Sequence, residues 1–195
     1  MNRLVALALF APLALSACDV ALTQDETAYD TLSAETTRLR AAYAGVPVTT
    51  AVQMPLFGNA TYDGTAVMTL DTPTRSSLIG EAAVIANFST DRVFGTFDNF
   101  VGSLNGAPVQ TFAGLLTTTN GEIDVSQSNF IQADMGGVLT GGGNVIGVDG
   151  AIIGNFLGPR APFVPAALEA RATNTTDFTV NGLNFVGGMS IIAED

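Results

Sequence analysis

The sequence predicts an all-β protein: a single antiparallel up-and-down β-barrel of about eight strands, preceded by a lipoprotein signal peptide and a short helical tether. Three observations predict the barrel. From residue 57 onward apolar and polar residues alternate, Asn-Gly dipeptides recur between the alternating segments, and no helical segment interrupts them. Closure into a barrel hides the strand edges, and a two-sheet sandwich is the alternative.

The N-terminus has the pattern of a lipoprotein signal peptide. A positive head at Arg3 precedes an apolar run over residues 4–15, which is too short to span a bilayer. The tetrapeptide Leu-Ser-Ala-Cys ending at Cys18 resembles a lipobox, in which a peptidase cuts before an acylated cysteine. Because Cys18 is the single cysteine of the chain, we expect lipidation (palmitate) there and removal of residues 1–17. The alternative is an ordinary secretory signal.

Composition excludes several classes of function. The chain has seven basic residues, all arginine, and eighteen acidic residues, so its surface repels nucleic acid and no nucleic-acid partner is expected. Histidine is absent and the single cysteine is assigned to the lipid, which excludes His-based triads, Cys nucleophiles and His-ligated metals. We therefore expect no cofactor, no metal and no enzymatic activity.

The chain divides into three parts: signal peptide 1–17, lipidated tether 18–55 and β-barrel domain 56–195. Within the tether, residues 23–44 predict one helix, with Thr23 as its N-cap and Gly45 ending it. Its apolar stripe is incomplete, and an extended linker over residues 46–55 follows.

Alternation with period two predicts the strands and their buried faces. In the first strand, one face carries the residues Ala60, Tyr62, Gly64, Ala66, Met68 and Leu70. In the second, Ala82, Val84, Ala86 and Phe88 share a face. Hairpin turns are predicted at Asn105-Gly106, Asn120-Gly121 and Asn181-Gly182, because Asn-Gly accepts positive φ at both turn positions. Asp149-Gly150 fits either a turn or a bend within a long strand.

Two motifs resemble a known family. Residues 58–64 read Gly-Asn-Ala-Thr-Tyr-Asp-Gly, and residues 154–161 read Gly-Asn-Phe-Leu-Gly-Pro-Arg-Ala. They resemble the opening strand and a later strand-and-turn of the β-barrel domain in transferrin-binding protein B and its small lipoprotein relatives. The resemblance implies a barrel anchored by lipid. Leu157 replaces an aromatic residue of the pattern, and Arg171-Ala172 stands where the family has glycines.

The resemblance does not extend to transferrin binding. The large relatives bind host proteins through extended loops and extra domains, whereas this chain has one barrel and short predicted turns. Because a fold does not determine a ligand, binding residues stay unassigned. If function lies on loops, the longest candidates are residues 70–78 and 159–176.

Other candidate sites have a structural interpretation that is favoured over a catalytic one. Asp63, Asp98 and Asp124 lie on predicted strands and could supply a glycosidase-like pair, but solvated outer-face positions explain them. The glycine pairs and triplet at 136–137 and 141–143 suit turns and barrel corners. Phenylalanines that lie in or beside strands are expected to fill the barrel core: Phe88, Phe94, Phe97, Phe100, Phe112, Phe130, Phe156 and Phe185.

The leading hypothesis is a membrane-anchored, non-enzymatic envelope lipoprotein whose barrel is a binding or interaction module. The alternatives are a lipocalin-like carrier of a small apolar ligand and a structural envelope protein without a ligand. The expected partners are the membrane, through the lipid on Cys18, and a protein contacting the barrel loops; we expect a monomer. The resemblance favours the outer membrane, including its cell surface, and Asp19 after Cys18 keeps the inner membrane as an alternative.

Overall fold

The fold was derived from a computed structural model, which describes residues 22–124, 126, 130–160 and 164–195. The signal peptide and Cys18 lie outside these residues. One helix, a short 3-10 turn and ten antiparallel strands are present in the described part of the chain. Their bounds are α1 Gln24–Ala42, the 3-10 turn Ala51–Gln53, β1 Asn59–Leu70, β2 Ser76–Asn87, β3 Arg92–Ser103, β4 Gln110–Asp124, β5 Phe130–Gly141, β6 Asn144–Arg160, β7 Val164–Ala172, β8 Asp177–Val180, β9 Leu183–Phe185 and β10 Gly187–Glu194.

Eight of the strands close into an antiparallel barrel, which confirms the predicted fold class. Strands β1 to β7 pair in sequence, and β10 then joins β7 back to β1. The hairpin of β8 and β9 lies outside this closed ring and pairs with the first half of β6. Asp149-Gly150 does not form a turn between strands: it lies within β6, near the point at which the partner strand changes from β8 to β7.

Two of the three predicted Asn-Gly turns are hairpin turns, and one is not. Asn105-Gly106 and Asn181-Gly182 connect strands with positive φ at both positions. Asn120-Gly121 lies within β4, where Asn120 has a φ of 53° and the register shifts by one residue against both β3 and β5. The dipeptide therefore forms a β-bulge, which uses the same left-handed backbone without ending the strand.

The first strands bury the faces that the alternation predicts. Tyr62, Ala66, Met68 and Leu70 of β1 point into the barrel, as do Ala82, Val84 and Ala86 of β2. Thr65 points outward yet is buried, because α1 covers it. The phenylalanine prediction fails at Phe94, whose side chain is 55% exposed on the outer face. Phe178, which was not among the predicted core residues, is fully buried.

Helix α1 begins and ends near the predicted residues, and it packs on the outside of the barrel. Thr23 and Glu26 form a capping box, which satisfies free backbone N–H groups at the helix start. Leu39 is fully buried against the barrel wall. The Thr36 hydroxyl hydrogen-bonds with that of Thr65 at 2.8 Å. The helix is thus attached to the barrel along its middle, and not only at its ends.

The segment between α1 and β1 packs on one end of the barrel. Gly158 N–H donates to the Pro47 carbonyl, and Thr49 N–H donates to the Phe156 carbonyl, so residues 47–49 extend the sheet beside β6. This pairing covers Leu157, which is buried although it lies on the outer face. Met54 then inserts into the core. The predicted extended linker is therefore a strap that packs on the barrel.

Residues 159–176, predicted as a loop, mostly form a strand. β7 runs from Val164 to Ala172 and pairs with β6 on one side and β10 on the other. Its sequence is rich in alanine and begins with a Val-Pro pair, so its intrinsic β-propensity is low. Pairing on both edges stabilises the strand despite this composition.

Candidate functional site

A surface cleft of about 590 Å³, named the arginine cleft below, lies where the end of α1 crosses the barrel. Arg40, in the last turn of the helix, forms one wall, and its guanidinium donates to the Ser190 hydroxyl at 2.8 Å. The floor comes from β6, β7 and β10. The described lining residues are Arg40, Ile153, Gly154, Asn155, Glu169, Ala170, Arg171, Ser190, Ile191 and Ile192.

Strand register places the side chains of the floor in two rows. In the first row Ile153, Arg171 and Ser190 are cross-strand partners. In the second row Asn155, Glu169 and Ile192 are partners. Directly opposed residues on one face have Cβ atoms about 5 Å apart, so the Arg171 side chain begins beside the hydroxyl that Arg40 contacts.

Gly154 determines how tightly the floor is packed. A Cβ atom at this position would lie 2.3 Å from the Glu169 carbonyl oxygen and 2.6 Å from the Ala170 Cβ. Both distances are shorter than van der Waals contact, so β6 and β7 approach each other closely only because residue 154 is glycine.

The cleft holds two arginines that form no ion pair with a carboxylate of the described residues. Within the described residues, the ion pairs of arginine are those of Arg38 and Arg92, and none involves Arg40 or Arg171. Glu169 contributes one negative charge to the lining. A guanidinium presents a planar fork of N–H donors that matches carboxylate and phosphate groups. The arrangement can therefore accept an anionic group, with Asn155 and Ser190 as additional polar contacts.

The opposite side of α1 is acidic. A second cleft, of about 640 Å³ and named the acidic cleft below, is lined by carboxylates from the helix, four strands and the C-terminus, namely Glu35, Asp63, Glu81, Asp98, Glu194 and Asp195. Asp63 and Asp98, predicted on outer faces, thus share this cleft, whereas Asp124 lies at the end of β4. In the part of the chain that the structure describes, no three His, Cys, Asp or Glu side chains are placed to hold a metal ion.

Arg38 binds one carboxylate of the helix and one of the barrel, and both of these carboxylates line the acidic cleft. Its guanidinium lies 2.6 Å from Glu35 and 2.6 Å from Glu194 of β10. These hydrogen bonds hold the pKa values of both carboxyl groups below their ordinary range. Tyr43 adds a hydrogen bond to Glu194 at 3.1 Å. The charges therefore stabilise the position of α1 between the clefts.

Side chains fill the barrel interior. Phe97, Phe100 and Phe112 are fully buried, and the Phe156 ring lies 5.6 Å from that of Tyr62 and 5.7 Å from that of Phe88. A side chain with no exposed surface leaves no water-sized space beside it, which is the packing expected in an eight-stranded barrel. This packing gives no support to an apolar ligand cavity.

The two family-like motifs meet at the strap end of the barrel. Tyr62 comes from the first motif and Phe156 from the second, and their rings pack together. Gly64 lies against β10, where a Cβ would be 2.1 Å from the Ile192 carbonyl oxygen. Gly158 has a φ of 56° and receives the strap. These four motif residues therefore stabilise the fold, and none of them lines the arginine cleft. Two other residues of the second motif, Gly154 and Asn155, do line it.

The remaining sequence-predicted site residues are distributed as follows. Cys18 lies outside the described residues, so its lipidation stays a prediction. The first candidate loop forms the β1–β2 connection, residues 71–75, at the barrel end opposite the strap. Sequence reasoning missed Arg40, Arg171 and Ser190, since only strand register brings residues so distant in sequence together. The sequence feature that could have drawn attention to the two arginines is the scarcity of basic residues in this acidic chain.

Comparison with known proteins gives one structural similarity. No family model matches the chain, and no curated protein matches it. The fold is similar to a crystal structure of the vaccine antigen transferrin binding protein B, a double mutant from Haemophilus parasuis, with a TM-score of 0.47 and 17% sequence identity. The match covers 75% of this chain and 27% of that protein, so this chain spans about a quarter of its length.

Within the described residues, no helix combines the length and apolar character needed to cross a membrane.

Proposed function

We propose that this chain is a lipid-anchored, non-enzymatic binding module of the cell envelope, which holds an anionic group of its ligand in the arginine cleft. The observation that carries this proposal is the pair Arg40 and Arg171, which line one cleft without an ion pair to a described carboxylate. In a chain of net charge −11, two such guanidiniums at one place favour a carboxylate- or phosphate-bearing ligand.

The anchoring part of the proposal depends on the lipobox-like pattern that ends at Cys18. A bacterial lipoprotein carries more than one acyl chain, which gives stable membrane attachment. The family resemblance favours the outer membrane, with the inner membrane as the alternative. A protein partner that contacts the barrel loops remains part of the same proposal.

Lipid labelling of the full chain tests the anchor. Cys18→Ser should abolish incorporation of a labelled fatty acid and leave an uncleaved precursor, whereas Ser16→Ala keeps a small residue in the cleavage motif and should be processed. Continued labelling of the Cys18→Ser protein would refute lipidation at this residue.

Site-specific photocrosslinking tests the cleft in intact cells. A photoreactive amino acid at Asn155, inside the cleft, should trap a discrete species, and the same group at Asn59, on the outer face of β1, should not. The combined Arg40→Gln and Arg171→Gln substitutions should reduce the Asn155 crosslink at least tenfold. Arg75→Gln, in the β1–β2 connection, is the control and should leave it unchanged. A crosslink that survives loss of both cleft arginines would contradict the proposal.

The two alternatives predict different outcomes of these experiments. A structural lipoprotein without a ligand would be labelled with lipid but would give no crosslink at Asn155. An apolar carrier would hold its ligand inside the barrel, but among the described residues the packed phenylalanine side chains leave no space for a ligand there.

A further inference from the structure

Helix α1 is fixed to the barrel at both ends as well as in the middle. At its start, the Thr111 hydroxyl of β4 donates to the Asp25 carboxylate at 2.7 Å. At its end, Arg40 contacts Ser190, and the Tyr43 hydroxyl donates to the Ala166 carbonyl of β7. A helix of 19 residues is about 28 Å long, so these contacts connect distant points of the barrel wall.

The chain that connects Cys18 to the helix is short. Four residues separate Cys18 from the N-cap Thr23, and five steps of at most about 3.5 Å each limit the connection to about 18 Å. Thr111, which Asp25 contacts, is the second residue of β4 and adjoins the β3–β4 loop. A lipid on Cys18 therefore places this loop near the bilayer.

We propose that the docked helix sets the orientation of the barrel on the membrane: the β3–β4 loop, residues 104–109, faces the bilayer, while the β2–β3 turn, residues 88–91, and the arginine cleft point away. This inference rests on the proposed lipidation of Cys18. Strand β3 has 12 residues and thus separates the two loops by about 40 Å. Arg40 lies about 24 Å along the helix from Gln24.

Charge repulsion disfavours an orientation in which the barrel lies with helix α1 against the membrane surface. Helix α1 carries four carboxylates against two arginines, and the acidic cleft adjoins it: Asp25, Glu26, Asp30 and Glu35 against Arg38 and Arg40. Anionic headgroups repel such a surface. The helix therefore acts as a docked spacer that keeps the cleft accessible to a ligand in the aqueous phase.

Fluorescence resonance energy transfer from a donor label on the barrel to acceptor-labelled lipid headgroups measures this orientation. The lipid on Cys18 blocks the single natural thiol, so Ala107→Cys in the β3–β4 loop and Thr90→Cys in the β2–β3 turn can each be labelled selectively. Full-length lipidated protein is inserted into phosphatidylcholine vesicles containing an acceptor-labelled lipid. Transfer from residue 107 should exceed transfer from residue 90 at least twofold; equal or reversed efficiencies would overturn the proposed orientation.

Two controls separate this inference from the anchoring proposal. Vesicle flotation reports anchoring by itself: protein that fails to float refutes the lipid anchor, whereas protein that floats with equal transfer refutes only the orientation. Insertion of about a dozen Gly and Ser residues between Ala21 and Leu22 lengthens the connection without touching the barrel. The difference between the two labels should then shrink, and an unchanged difference would show that the short connection does not set the orientation.

Discussion

At the scale of single residues, Phe156 packs against two aromatic rings in the part of the core that lies next to the strap. Its ring fills the space between Tyr62 and Phe88, while Asn155 faces the cleft on the other side of β6. Alternation along the strand explains why adjacent residues have such different surroundings. The strand register therefore decides which of the two residues stabilises the fold.

Phe156→Ala should lower the free energy of unfolding by about 3–5 kcal/mol, because it removes a buried ring and leaves a cavity. Asn155→Ala should change it by no more than about 0.5 kcal/mol, since Asn155 is partly solvated. Urea melts of both variants measure these values. Equal losses would mean that the register of β6 is wrong.

Gly154→Ala should destabilise the barrel by about 1–3 kcal/mol, because the new Cβ would overlap the Glu169 carbonyl oxygen of β7. Gly136→Ala in β5 is the matched control: its Cβ would have the Val148 carbonyl oxygen as its nearest neighbour, at 3.5 Å. It should be nearly neutral. Similar melting temperatures for the two variants would contradict the close approach of β6 and β7.

Tyr62→Phe should not destabilise the protein, and we expect it to raise the free energy of unfolding by up to about 1 kcal/mol. The Tyr62 hydroxyl is buried and has no hydrogen-bond partner among the described residues, and burial raises its pKa. Because the folded pKa is raised above the unfolded value near 10, the contribution of the neutral phenol is full below that pH and declines above it. The variant should therefore resist alkaline unfolding better, as followed by circular dichroism; a less stable variant would indicate a missing partner.

At the scale of elements, α1 and the strap convert the segment before the barrel into part of its wall. The predicted helix lacks a continuous apolar stripe, so its attachment uses one buried leucine, a pair of threonines and the Arg38 ion pairs. Polar contacts of this kind respond to pH more strongly than apolar packing does.

Glu194→Gln should lower the melting temperature at pH 6 by on the order of one to a few degrees, and the difference from wild type should shrink as the pH falls below the ordinary carboxyl range. Arg38 lowers the pKa of Glu194 in the folded state, so its stabilisation is full above the ordinary value of 4.5 and is lost as the pH falls through the lowered value. Glu169→Gln, an exposed carboxylate without a described ion pair, serves as the control. A difference that stays constant while the pH falls from neutral through the whole acidic range would exclude the ion pair as its cause.

At the scale of the whole molecule, the barrel is a filled scaffold whose chemistry lies on its outside. The acidic cleft and the arginine cleft flank one helix, so the charge of the surface reverses across it. A ligand that recognises this region would contact the helix and three strands together, which makes the docking of α1 a condition for binding.

A fluorescent fatty acid should show no saturable binding to the native protein, because the interior is occupied by side chains. Titration followed by fluorescence measures this, and urea-loosened protein is the positive control for dye response. One-to-one saturation by the native barrel would favour the carrier hypothesis.

The sequence alone determined the all-β barrel, the capped helix and the inward faces of β1 and β2, because local periodicity and capping depend on near neighbours in the chain. Tertiary structure decided the elements whose local signals conflict with their surroundings. Pairing on both edges makes β7 a strand despite its alanines, and pairing with β3 and β5 on either side of Asn120-Gly121 makes this dipeptide a bulge. The cleft depends on register between strands distant in sequence, which no local pattern encodes; only folding brings Arg40, Arg171 and Ser190 together.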